Sequence, residues 1–136
     1  EFGNHLRFVY RYFPLRAIHK NAQISSQAAE AAGLQGKFWE MHDLLFENQT
    51  AWSNQSGEEA QQTFVSYATM LNLNVEKFKT DLTSGTVENA VNEDYDSGQA
   101  AGVASTPTFF LNGVAVNPGT YDEFRSLVRE KIEANP

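Results

Sequence analysis

Residues 6–13, Leu-Arg-Phe-Val-Tyr-Arg-Tyr-Phe, alternate with a period of two and are built from strand-favouring types. Leu6, Phe8, Tyr10 and Tyr12 fall on one face; Arg7, Val9, Arg11 and Phe13 fall on the other. Pro14 has no N–H to give a ladder and ends the run, so the spacing predicts a strand over 6–13. From about Gln23 to Gly102 the period lengthens to that of helices. Ser25–Ala32 is alanine-rich, with Gly33 as its expected stop. Within Gly36–Asn48, Phe38, Met41, Leu45 and Phe46 share one helical face. Ser56 and Glu59 have capping-box spacing ahead of Phe64, Ala68 and Leu71. A short helix follows Asn74, with Phe78 and Leu82 four apart, and Ser84-Gly85 closes it. Val87, Ala90 and Val91 then open another that runs to Gly102. The stretch Gln49–Gly57 reads as a polar, mobile loop.

The last third returns to sheet. Thr108–Leu111 and Val114–Val116 flank Asn112-Gly113, a pair suited to a two-residue hairpin turn because both positions need φ > 0. Asn117-Pro118-Gly119 is a second turn. Thr120 and Glu123 then cap a final helix carrying Phe124, Leu127, Val128 and Ile132. The expected order is strand, helical block (about 20–102), hairpin and helix, within one domain spanning 1–136.

Composition narrows what such a domain can do. The chain has 136 residues, 41% hydrophobic, with ten Phe and two Trp, enough for one core. A net charge of −7 argues against a broad nucleic-acid-binding surface. Arg7, Arg11, Arg16 and Lys20 make the first twenty residues basic, and they read as strand and loop charges rather than a docking strip for an acidic partner. No apolar run approaches the roughly 20 residues a bilayer span needs, and no basic-then-apolar opening resembles a signal peptide. There is no cysteine, which removes disulfides, thiolate metal sites and a thiol nucleophile from the chain's own chemistry.

Other chemistry is sparse. His42 sits at the edge of an apolar helix face and reads as a half-buried structural histidine, while His5 and His19 stand alone. No nucleophile elbow or triad is present, so no catalytic residue and no metal ligand is assigned. Asn92–Gly98 has the look of a calcium loop, but Ser97 occupies the sharp-turn position and Val103 stands where a bidentate Glu is needed. Asn48-Gln49-Thr50 and Asn54-Gln55-Ser56 are sequons of a kind that arises easily in polar segments. Thr106-Pro107-Thr108-Phe109 is the most informative short stretch. A proline opening a strand is ordinarily trans; a cis bond there would expose the preceding backbone to an extended peptide.

Three segments, in order along the chain, carry a resemblance. Arg11-Tyr12-Phe13-Pro14-Leu15 resembles the R-x-F-P-L strand end of DsbA-like proteins, the thioredoxin-fold thiol–disulfide oxidoreductases. Ala28–Ala32 with Gln35–Phe46 is similar to that family's helical insertion, and Gly102–Gly113 to its cis-proline strand and hairpin. Ser105 stands where many relatives have Gly. The resemblance implies an α/β, thioredoxin-like fold that is truncated, since the family places a strand and a Cys-x-x-Cys helix ahead of the segment equivalent to 6–13. Glu1–Asn4 would be the tail of that helix. It also implies that Ser105, Thr106 and Pro107 form a peptide-binding loop. No cofactor is expected. Without thiols the chain is expected to be redox-inert, a fragment or truncated product of an oxidoreductase lineage. The alternatives are a non-catalytic peptide- or protein-binding module and, more distantly, a glutathione-using enzyme. Unpaired strand edges imply self-association, and the family's usual compartment is the bacterial periplasm or cell envelope.

Overall fold

A computed structural model describes residues 1–134. Among them are seven α-helices and one two-stranded antiparallel sheet, and the chain divides into two compact units.

The larger unit, residues 11–100, is helical. It comprises α1 (Ala22–Gly33), α2 (Phe38–Glu47), α3 (Gln49–Trp52), α4 (Gly57–Met70), α5 (Val75–Leu82) and α6 (Gly85–Ala100). Helix α1 is its hub and packs on α2, α4, α5 and α6. Its buried positions include Ala28, Ala29, Ala31 and Ala32, and side chains this small let neighbouring helices approach closely. Around it Met41, Phe64, Phe78, Leu82, Val87 and Val91 are fully enclosed. The buried side-chain amide of Gln27 in α1 donates to the Leu82 carbonyl at the end of α5, 2.9 Å. Ser56 and Glu59 form the full reciprocal capping box, and Asn74 accepts from the Lys77 N–H.

Three expectations are corrected in this unit. Gly33 is the last residue of α1 but not its left-handed cap: Leu34 continues in right-handed geometry, and the left-handed residue is Gly36, at φ 75°. The Lys37 N–H returns to Ala32 and that of Gly36 to Gly33, so the helix ends in a Schellman arrangement centred on Gly36. Gln49–Gly57 is not a loose loop. It opens with α3, and Trp52 is buried with its indole donating to the Leu45 carbonyl. The buried Asn21 amide reaches the carbonyls of Trp52 (2.9 Å) and Gln55 (3.0 Å). Finally, residues 6–15 carry no ladder. The Tyr12 N–H that a strand would give to a neighbour is taken by the Asp94 carboxylate of α6, 3.1 Å. Arg11 pairs with the same carboxylate, and Phe13 stacks on Tyr95 with ring centres 4.7 Å apart. Tyr12, buried, donates to Glu30 of α1. Residues 11–13 are held to the helices of this unit by their side chains and by the Tyr12 backbone donor.

The smaller unit comprises residues 1–10 and the chain from residue 101 onward. Here β1 (Phe109–Leu111) pairs with β2 (Val114–Val116), in register Phe109↔Val116 and Leu111↔Val114. Asn112 (φ 50°) and Gly113 (φ 80°) both take the positive φ that the turn demands. Helix α7 (Tyr121–Glu133) is capped by Thr120, which accepts from the Glu123 N–H, while the Glu123 carboxylate takes the Gly119 N–H. Phe124 packs on Phe109, with centroids 4.8 Å apart. Glu1 receives Arg125 and Arg129 of α7, and the first of these bonds holds its carboxyl below the ordinary carboxylate value. Val128 is buried, whereas Phe8, Val9, Phe110 and Val114 are exposed.

Candidate peptide-binding loop

The three residues expected to bind peptide, Ser105, Thr106 and Pro107, form one exposed turn immediately before β1. Gly102 (φ 79°) lies after the end of α6, Val103 is half-buried, and the chain then reaches solvent over 104–108. The Thr106–Pro107 peptide bond is cis. Thr108 closes the turn: its hydroxyl donates to the Ser105 carbonyl across the intervening residues, 2.6 Å. This contact was missed in the sequence, where Thr108 reads only as the first strand residue. A hydroxyl on the residue just before a β-strand has several backbone acceptors within reach, and the folded turn selects one.

The chemistry of the turn follows from its side chains. None of Ser105, Thr106, Pro107 and Thr108 is ionisable below strongly alkaline pH, so the turn offers no general acid, base or charged ligand. It offers backbone N–H and C=O groups and hydroxyls, which can bind a backbone and cannot move electrons.

The other candidates are engaged structurally. His42 is half-buried, its ring 4.8 Å from Phe46 and 5.3 Å from Trp39, with Nδ1 2.9 Å from the Asp43 carboxylate. Asn92–Gly98 lies wholly within α6, so its carboxylates radiate around a helix and cannot wrap an ion. Among the described residues no group of three or more His, Asp or Glu converges to hold a metal. Of the early basic residues, Arg11 binds Asp94, and Arg16 contacts Gln23, Asn92 and the face of Tyr95. Lys20 donates to the Asn54 carbonyl. Burial raises the pKa of Tyr10 and of Tyr67, the latter within α4. No described helix is long and apolar enough to cross a membrane.

Helical unit, hairpin, closing helix and proline turn together define a thioredoxin-like domain. The chain belongs to the thioredoxin family: the family model described as Thioredoxin (Thioredoxin_4) matches residues 1–130. Among curated proteins it is similar to a Na(+)/H(+) antiporter NhaA 1 of Salinispora arenicola, 41% identical over 113 residues, or 83% of this chain and 16% of that protein. It is also similar to a Na(+)/H(+) antiporter NhaA of Herminiimonas arsenicoxydans, 38% identical over 122 residues, 90% of this chain and 18% of the other. A third relative, the Na(+)/H(+) antiporter NhaA 1 of Mycolicibacterium vanbaalenii, is 36% identical over 133 residues, 95% of this chain and 20% of its own. The chain thus spans a fifth or less of the length of these relatives. No solved structure matches it.

Proposed function

We propose that this chain is a thioredoxin-fold domain of DsbA-like lineage that holds an extended peptide at Ser105–Thr106–Pro107 and carries out no thiol–disulfide exchange with its own residues. The observation that carries this reading is the exposed, uncharged turn before β1 in a chain without cysteine. Disulfide exchange requires a thiolate to attack a sulfur, and no side chain here supplies one. What the turn offers is the backbone donor and acceptor of Thr106, groups of the kind that pair with a peptide in β conformation. The test has two arms. Insulin reduction by the purified chain should stay at background, and turnover above background overturns the redox-inert half. A thiol-free unfolded polypeptide, reduced and carboxymethylated lactalbumin, should bind. Pro107→Ala should weaken that binding, because the ring fixes φ at the turn. No binding by the wild-type chain overturns the peptide-holding half.

A second reading rests on the relatives. They are named Na(+)/H(+) antiporters, and the chain corresponds to a fifth or less of each. On this reading the chain is one domain of a longer membrane protein, and its loop serves segments of that protein or of its neighbours. The mass of the endogenous polypeptide detected with an antibody to this domain decides it. A band near 15.2 kDa counts against the second reading, and one several times larger supports it.

A further inference from the structure

The Ser105–Thr106–Pro107 turn precedes a short strand and is exposed along its length, so little packing from around it fixes its shape. Among the described residues, one side-chain hydrogen bond closes it: Thr108 Oγ1 donates to the Ser105 carbonyl at 2.6 Å, bracketing Thr106 and Pro107. The bond does two things at once. It fixes the separation of Ser105 and Thr108 and therefore the direction of the Thr106 backbone groups between them. It also takes one of the two lone pairs of the Ser105 carbonyl, leaving the Thr106 carbonyl the less engaged acceptor for a partner's N–H arriving at the turn. We infer that Thr108 is the positioning residue of this loop: its hydroxyl sets the Thr106 N–H and C=O in the orientation that pairs with one residue of an extended peptide. The inference rests on the peptide-holding reading and deepens it, because it selects a ligand class recognised through its backbone, independent of side-chain charge.

The test uses the full chain, carboxymethylated lactalbumin as the probe, and Thr108→Val and Thr108→Ser. Valine keeps the branched shape and removes the donor, whereas serine restores the donor without the methyl. Losing the pre-set turn is expected to weaken binding by about fivefold, the equivalent of one neutral hydrogen bond. Thr108→Ser should stay within about twofold of wild type. A ligand-free readout accompanies affinity: the Ser105 carbonyl carbon resonance should move in Thr108→Val and hold its place in Thr108→Ser, with the unfolding midpoint unchanged in both. A Thr108→Val chain that binds as wild type does while the Ser105 resonance moves overturns the positioning role and leaves the peptide-holding reading intact. A Thr108→Ser chain as weak as Thr108→Val overturns it as well, since the donor is then irrelevant. A wild-type chain that fails to bind removes the peptide-holding reading, and the positioning role falls with it.

Discussion

Gly98, in the last turn of α6, provides a test in which two opposed effects can be compared. Replacing a helical glycine by alanine ordinarily stabilises by about 0.5–1 kcal/mol, through the conformational freedom lost by the unfolded chain. At this position an added Cβ would lie 2.7 Å from Cδ2 and 3.0 Å from Cε2 of Phe13, well inside van der Waals contact. The ring has little room to yield, because it is stacked on Tyr95 at 4.7 Å and 25°. Overpacking of this kind costs about 1–3 kcal/mol, and giving up the stack costs a further 0.5–1.5 kcal/mol or so. The clash therefore outweighs the helix gain, and Gly98→Ala should destabilise by about 1–2 kcal/mol. With the urea dependence usual for small domains this lowers the unfolding midpoint by about 0.5–1 M. In a Phe13→Leu background the same substitution should be neutral or stabilising, giving a coupling of about 1 kcal/mol or more between the two positions. Far-ultraviolet circular dichroism through a urea titration reads all four chains. A midpoint that rises in Gly98→Ala with Phe13 present would show that the residue 11–16 segment does not pack on α6 as described.

Four further outcomes are expected. Asn21→Ala removes the side-chain donor shared by the Trp52 and Gln55 carbonyls, leaving Trp52 only the Gln55 N–H, and should cost about 1–3 kcal/mol in the same titration; a loss below about 0.5 kcal/mol would mean that the 49–57 stretch is held otherwise. Glu59 accepts from the Ser56 backbone, and this holds its carboxyl below the ordinary value. Its folded pKa being depressed, its contribution is present above the unfolded carboxylate pKa and disappears as pH falls through the folded one. Glu59→Gln should accordingly flatten the acid limb of stability against pH, and an unchanged limb counts against the capping box. Gly113→Ala should cost about 1 kcal/mol, because φ there is 80°, with amide shifts moving at 109–116 and not in α4. The β-prone, exposed Leu6–Val9 stretch and the short two-stranded hairpin are expected to drive self-association, read by sedimentation velocity across concentration; a single monomer species throughout contradicts this.

What the sequence reveals is what local chemistry decides. The Asn112-Gly113 turn and the caps at Ser56, Asn74 and Thr120 involve partners within four residues, so the composition of a short window specifies them. The fate of 6–13 is not local. Its alternation is a valid strand pattern, but a strand exists only through pairing, and the Tyr12 N–H is claimed by Asp94, 82 positions away. The 49–57 stretch misleads for the same reason: its polar composition hides Trp52, pinned from below by Leu45 and from afar by Asn21. Gly33 and Gly36 both suit a helix end, and the choice between them depends on whether Leu34 and Gln35 can continue the turn. At the candidate site, the family likeness of Gly102–Gly113 singles out Ser105–Pro107, and the structure places those three residues on one exposed turn. The Thr108 hydrogen bond is not legible in the sequence, because nothing in a threonine's neighbours states which carbonyl its hydroxyl will face.

The claim that this domain holds peptides at the turn before β1, without thiol chemistry, is tested most directly by a nuclear magnetic resonance footprint. The isotope-labelled chain is titrated with carboxymethylated lactalbumin, and amide perturbations are mapped along the sequence. The account predicts saturable shifts at Ser105, Thr106, Thr108 and Phe109, with α1 and α4 unmoved. Saturable shifts confined to the helical unit, or none anywhere at millimolar polypeptide, would contradict it.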